Sequence, residues 1–155
     1  MSVEIKFVEP TFSLMGRIAR DMRQQDIDEV WASHHHAPIE ALVEGWQQSK
    51  FSTIVLINGE PVVMLGLVVR DILSGVGVPW LLGTNGSLKY KREFITQVPR
   101  VIDDMLNICP MLYNYAHVKN TISIKWLKRI GFSFSEPQQH GPDDELFCKF
   151  QLRRI

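Results

Sequence analysis

The sequence predicts an α+β fold built on one mixed sheet, and three observations carry that reading. Asn58-Gly59 joins two runs rich in β-branched residues, Phe51 to Ile57 and Pro61 to Val69, and Asn-Gly in that setting is the strongest short hairpin signal a sequence offers. Gly75 and Gly77 then make a turn into a third strand, Val78 to Thr84, which extends the hairpin to a meander. Beyond Ser87 a helical pattern, a strand and a second helical pattern follow one another. A helical crossover allows the strands on either side of it to run parallel, so the sheet combines both pairings.

The elements follow in order. Ile5 and Phe7 alternate with Glu4 and Lys6 as a short strand closed by Pro10. From Ser13 to Ala32 the apolar residues fall at helical spacing, interrupted between Gln24 and Asp26. Two helices are therefore expected, with Asp26 available to cap the second. Ser33 to Pro38 reads as a loop and Ile39 to Gln48 as a further helical segment. After the meander, Phe94, Ile95, Val98, Ile102, Met105 and Leu106 repeat with helical period. Ser87 offers an N-cap for that helix, and Pro99 predicts a kink in it. Pro110 stops it, Met111 to Val118 alternates as a strand, and Ile122 to Ile130 is amphipathic with Gly131 as its C-cap. Phe132 to Ser135 and Leu146 to Leu152 supply the last two strands, separated by a polar loop from Glu136 to Glu145. The order is thus β-α-α-β-β-β-α-β-α-β-β, and 155 residues fit one domain over 1–155.

Composition narrows the function classes. Seventeen basic residues balance seventeen acidic ones, so no net field favours nucleic acid or an anionic membrane. Cys109 and Cys148 are too few for a disulfide framework or a metal cluster, and no zinc, P-loop or catalytic-triad motif is present. Arg70 and Asp71 interrupt the longest apolar stretch, and the first ten residues contain no apolar run of signal-peptide length. The expectation is a soluble cytoplasmic protein without a metal.

The run Asn120-Thr-Ile-Ser-Ile-Lys-Trp-Leu-Lys-Arg-Ile-Gly-Phe132, together with the element order, resembles the GCN5-related N-acetyltransferase fold over almost the whole chain. The run from Ile18 to Ala32, with Tyr113-Asn-Tyr, is also similar to phage-encoded members, the small internal virion proteins of short-tailed coliphages. The resemblance implies a central mixed sheet with helices on both faces and acetyl-coenzyme A as co-substrate. It implies an amine or protein acceptor, or a non-catalytic role beside virion proteins, in the host cytoplasm or the virion. Two positions depart from the family pattern in the phosphate loop: Gly83 stands where Arg or Gln is usual, and Leu88 where a small residue is usual. Leu127 takes the place of the frequent general-acid tyrosine, and leucine donates no proton.

On this reading Thr84, Asn85, Gly86 and Ser87 present backbone N–H groups to a pyrophosphate, with Lys89, Lys91 and Arg92 pairing with phosphates. The same residues also read as a turn followed by solvated cations. Leu82 or Gly83 offers an N–H to the thioester oxygen. Asn120 bonds the pantetheine amide, caps the following helix, or does both. For the base that an amine acceptor needs, His117 near a strand end and His34, His35 and His36 in the early loop are the candidates, followed by Glu29 and Glu40. The alternatives for these histidines are packing and a solvated loop.

Overall fold

The computed structural model describes residues 2–154. Its strands are β1 (Ile5–Val8), β2 (Phe51–Ile57), β3 (Glu60–Asp71), β4 (Val76–Gly83), β5 (Met111–His117), β6 (Ser133–Phe134), β7 (Gln138–His140) and β8 (Glu145–Arg153). Its helices are α1 (Phe12–Arg20), α2 (Gln24–His34), α3 (Pro38–Gln48), α4 (Lys91–Ile108) and α5 (Thr121–Ile130). All strands belong to one sheet in the order β1-β2-β3-β4-β5-β8-β6, with β7 also on β8. Every neighbouring pair is antiparallel except β4 and β5. The mixed α+β sheet predicted from the sequence is the one observed.

Local chemistry accounts for most boundaries. Asn58 and Gly59 both have positive φ, 50° and 80°, as a two-residue turn between right-twisted strands requires. Thr11 caps α1 by accepting the Leu14 N–H at 3.1 Å, and Glu40 reaches back to the Ala37 N–H at 2.9 Å at the start of α3. Two expectations give way to other structure. Asn85–Tyr90 is a 3₁₀ turn, so α4 begins at Lys91 and Ser87 is not its cap. The polar loop 136–145 contains β7, because its backbone finds pairing partners along β8 from Phe147 to Glu145. α4 continues through Pro99, whose missing N–H leaves the Ile95 carbonyl without its helical donor.

Alternation along the central strands divides the core between the two faces. Val55, Val63 and Leu65 point into a cluster with Phe94, Val98 and Met105 of α4. Ile54 and Met64 point the other way, against Met15 and Ile18 of α1 and Leu42 of α3. The helix α5 has no fully buried residue although Ile124, Trp126 and Leu127 pack against the first cluster. No helix among the described residues is long and apolar enough to cross a membrane.

Candidate functional site

The parallel pairing of β4 with β5 stops almost as soon as it starts. Val76 pairs with Met111 and Gly77 with Leu112, and beyond these the two strands diverge. Pro79 supplies a local reason. Thr84 donates its N–H to Val62 on β3, whereas the Gly83 N–H points away from β3 to the Asp26 carboxylate. Period-two alternation therefore directs the backbone groups of Leu81 and Pro79 toward β5 as well. Proline has no N–H to give a neighbour there, and a central strand tolerates it only where the ladder is open. The Pro79 carbonyl accepts from Asn114 Nδ2 at 2.7 Å. Leu81 is left with both its N–H and its C=O facing the gap.

The divergence opens a cavity of about 420 Å³ that passes through the sheet. Leu81 and Leu82 line it from β4, and Tyr113, Asn114, Tyr115 and Ala116 from β5. On one face it is bounded by α2 and α3, on the other by α4 and α5. The Trp80 indole forms part of the wall. Two glycines make room for it, since a Cβ on Gly45 or Gly66 would stand 2.8 Å from the ring, and Trp80 Nε1 donates to Ser49 Oγ at 2.7 Å.

At the wide end of the gap a buried polar network ties the two strand ends to α2. Asp26, 1 % exposed, accepts from the Gly83 N–H at 2.8 Å and from Arg23 Nη2 at 2.8 Å. Glu29 Oε2 accepts from the His117 N–H at 2.8 Å and from Asn120 Nδ2 at 3.2 Å. The second hydrogen of that amide goes to Asp26 Oδ1 at 3.1 Å. Burial disfavours the Glu29 carboxylate, and the neighbouring Asp26 charge adds to this, pushing its pKa up to about 7. The hydrogen bonds from His117 and Asn120 and the Arg23 charge act in the opposite direction. Glu29 Oε1 has no hydrogen-bond partner among the described residues, and Glu29 lines the cavity.

The sequence candidates divide over this geometry. His117 is buried, and both ring nitrogens are engaged: Nδ1 accepts from the Lys119 N–H at 3.3 Å and Nε2 meets Glu145 Oε1 at 2.8 Å. Neutral His117 thus has no free nitrogen to receive a proton, and it borders a neighbouring groove, not the through-sheet cavity. His35 caps α2 in the left-handed conformation, stacks on Trp31 and bonds Asp143, away from the cavity. His36 does line it, with Nε2 held by Glu44 at 2.9 Å. His34 lines it too, its pKa lowered by burial and by His36.

Among the cofactor candidates, Gly83 has given its N–H to Asp26, and the Leu82 N–H belongs to the β3 side by the same alternation. The free N–H toward the gap is that of Leu81. Thr84, Asn85 and Ser87 spend their N–H groups on Val62, Asp21 and Thr84 carbonyls. Gly86 is exposed, and a Cβ there would meet only Thr84 Oγ1, at 3.4 Å. Neither the 3₁₀ turn nor α4 has a side chain capping its first amides. Lys89, Lys91 and Arg92 are exposed beside it and form no ion pair among the described residues. The buried Ser87 hydroxyl has no hydrogen-bond partner among the described residues. Asn120 caps α5 through Ser123 N–H, and its amide hydrogens are both committed to carboxylates. No three His, Cys, Asp or Glu side chains among the described residues are placed to hold a metal ion.

Sequence reasoning took Asp26 for a cap, passed over Arg23, and looked for the oxyanion N–H at Leu82 or Gly83, one or two positions beyond Leu81. One signal was present: Arg23, Asp26 and Glu29 recur every three residues on the side of α2 that also carries buried Val30. Charged residues on the inward face of a helix are expensive unless paired.

No protein-family model matches the chain, and no curated protein matches it in sequence. Solved structures match it in shape. A spermidine N-acetyltransferase from Vibrio cholerae, in complex with coenzyme A and spermine, aligns at a TM-score of 0.71 with 11 % identity over 97 % of this chain and 95 % of that one. The aminoglycoside acetyltransferase AAC(6')-Ib in complex with coenzyme A aligns at 0.69 with 15 % identity, covering 97 % and 95 %. A microcin C7 self-immunity acetyltransferase in complex with acetyl-coenzyme A and AMP aligns at 0.70 with 10 % identity, covering 97 % and 92 %. These similarities show that the chain has the GCN5-related N-acetyltransferase fold.

Proposed function

We propose that the protein transfers an acetyl group from acetyl-coenzyme A to an amine. The observation that carries this reading is the open seam between β4 and β5, where Leu81 presents an unpaired N–H and C=O to a cavity of about 420 Å³. A pantetheine arm contains amides and is extended, so it suits such an edge as an added strand does. Acetyl-coenzyme A would supply the activated acyl group. The protein's part is to hold donor and acceptor together and to place the Leu81 N–H against the thioester oxygen as charge develops there. Lys89, Lys91 and Arg92, beside a helix start without a side-chain cap, suit the phosphates. The solved structures of similar shape with coenzyme A or acetyl-coenzyme A bound support the same reading.

Calorimetric titration with acetyl-coenzyme A tests it. Micromolar binding, worth about −8 kcal/mol, is expected for the wild-type protein. Leu81→Pro removes one N–H that makes no ladder bond, so it should weaken binding about five- to tenfold, the worth of one hydrogen bond, measured at a temperature where the variant, which also loses the Leu81 packing against the core, is folded. Absence of binding at roughly millimolar ligand would sink the proposal.

A second reading has its own observation. The Thr84 and Asn85 amides are already spent within the protein, and Leu127 stands where a proton-donating tyrosine is usual in the family. Those features suit a protein that has the fold without the reaction, such as a phage accessory factor bound to virion proteins. Recovery of the chain on virions, with no heat in the titration above, would favour it.

A further inference from the structure

We infer that Glu29 is the proton acceptor of the reaction, and that the acceptor substrate is a compact amine carrying a single positive charge. The inference rests on the acetyltransferase reading and deepens it. Glu29 occupies the one point where α2, the end of β5 and the through-sheet cavity meet. Its Oε2 is fixed by two donors, the His117 N–H at 2.8 Å and Asn120 Nδ2 at 3.2 Å, while Oε1 has none. A carboxylate held by one oxygen and free at the other is positioned and still able to receive a proton. On its own helix Asp26 is paired with Arg23. On β5 the His117 ring is turned to Glu145 of β8. Across the cavity Glu44 of α3 is paired with His36, and Arg70 of β3 stands exposed at the rim with His34 and His140.

That charge pattern also selects the substrate. Asp26 is paired with Arg23 away from the cavity, and Glu44 Oε2 is held by His36 Nε2 at the half-exposed rim, so among the described residues Glu29 is the carboxylate of the inner wall left to attract a cation, while Arg70 at the rim opposes a second one. The wall on this side carries apolar and aromatic surface from Val30, Val68, Trp80, Tyr113 and Tyr115, with Ser33, Gln48 and the histidines adding polar groups. A polycation would bring its further charges to a rim that holds Arg70. An ammonium on an apolar body finds a partner for its charge and a surface for the rest.

Glu29 takes one proton from the ammonium and frees the nitrogen lone pair. The lone pair forms the C–N bond to the thioester carbonyl, the C–S bond breaks with its pair on sulfur, and the surplus nitrogen proton passes to the thiolate. Ammonium and thioester thus give amide, thiol and one proton, which Glu29 holds until it is released to solvent.

The test measures thiol release from acetyl-coenzyme A with phenethylamine, spermine and kanamycin as probe amines across pH 5 to 9. Calorimetric binding of acetyl-coenzyme A is followed on the same preparations. The expected result is turnover of phenethylamine with kcat/KM at least tenfold above the other two amines, rising through a midpoint near the Glu29 pKa of about 7. Glu29→Gln, which keeps an acceptor for His117 and Asn120, should lower kcat by about 10²- to 10⁴-fold and leave the acetyl-coenzyme A Kd within about twofold. Glu29→Asp should recover part of the rate. An unchanged kcat and pH midpoint in Glu29→Gln would overturn the assignment of the base, and preference for spermine or kanamycin would overturn the substrate class. Bound acetyl-coenzyme A with no thiol release from any probe amine would overturn the inference while leaving the coenzyme site standing. No binding to the wild-type protein would overturn the acetyltransferase reading itself.

Discussion

Asp26 is the residue on which the site depends most, because one buried carboxylate serves three donors from three parts of the chain. Arg23 precedes it by three positions, Gly83 lies 57 residues away and Asn120 lies 94 away. Removing one member of a buried ion pair leaves the other charge uncompensated. Asp26→Ala is therefore expected to lower unfolding free energy by about 3–5 kcal/mol in urea titration, far above the cost of an exposed pair such as Arg17–Glu60. Glu29 makes a different prediction, one of pH. Its pKa is higher in the folded chain, about 7, than its ordinary 4.5. Between those values the folded chain holds a proton that the unfolded chain has lost, so this group makes stability fall as pH rises from about 4.5 to about 7. Chemical denaturation across that window should show a shallower fall in Glu29→Gln, and an unaltered slope would remove the assignment. At this scale the sequence was least legible. Asp26 resembles a helix cap and Asn120 a family signature until the fold brings them together, and no local pattern announces a bond between residues 94 apart.

Elements were easier to read, since their signals are local. The Asn58-Gly59 turn and the α4 and α5 periodicities each lie within one window of sequence, and each appears where expected. What escaped were β7 and the 3₁₀ turn, short segments that form because β8 and the end of β4 offer them partners. Pro79 is the instructive case. Inside a run that otherwise reads as a strand it looks like an objection, yet its missing N–H falls on the side where the ladder to β5 has already ended. The cavity wall made by Trp80 depends on two other elements keeping out of its way. Gly66→Ala would place a Cβ 2.8 Å from the indole, so the ring must move or the strand must bend. A loss of about 1–3 kcal/mol is expected, accompanied by a shift in tryptophan fluorescence as the bond to Ser49 is disturbed. Unchanged stability and emission would mean that the pocket accommodates the methyl group.

On the scale of the whole molecule, the apolar residues of the central strands make two cores, one on each face of a single sheet, and the cavity is the place where those faces communicate. A ligand that binds there and has no affinity for the unfolded chain stabilises the fold by mass action. Acetyl-coenzyme A at about 100 times its Kd should add about 2.7 kcal/mol and raise Tm by roughly 5–10 °C for a chain of this size. A thermal scan without and with the coenzyme checks this, and an unmoved Tm would count against a coenzyme site.

The short β4–β5 ladder has a further consequence. Two residue pairs stitch β1–β4 to the strands that follow, so the sheet is mechanically two leaves bound along a narrow spine. Helix α2 works as the clasp opposite that spine, gripping one leaf through Gly83 and the other through His117. The gap between the leaves at that end is thus spanned by two acidic side chains of one helix.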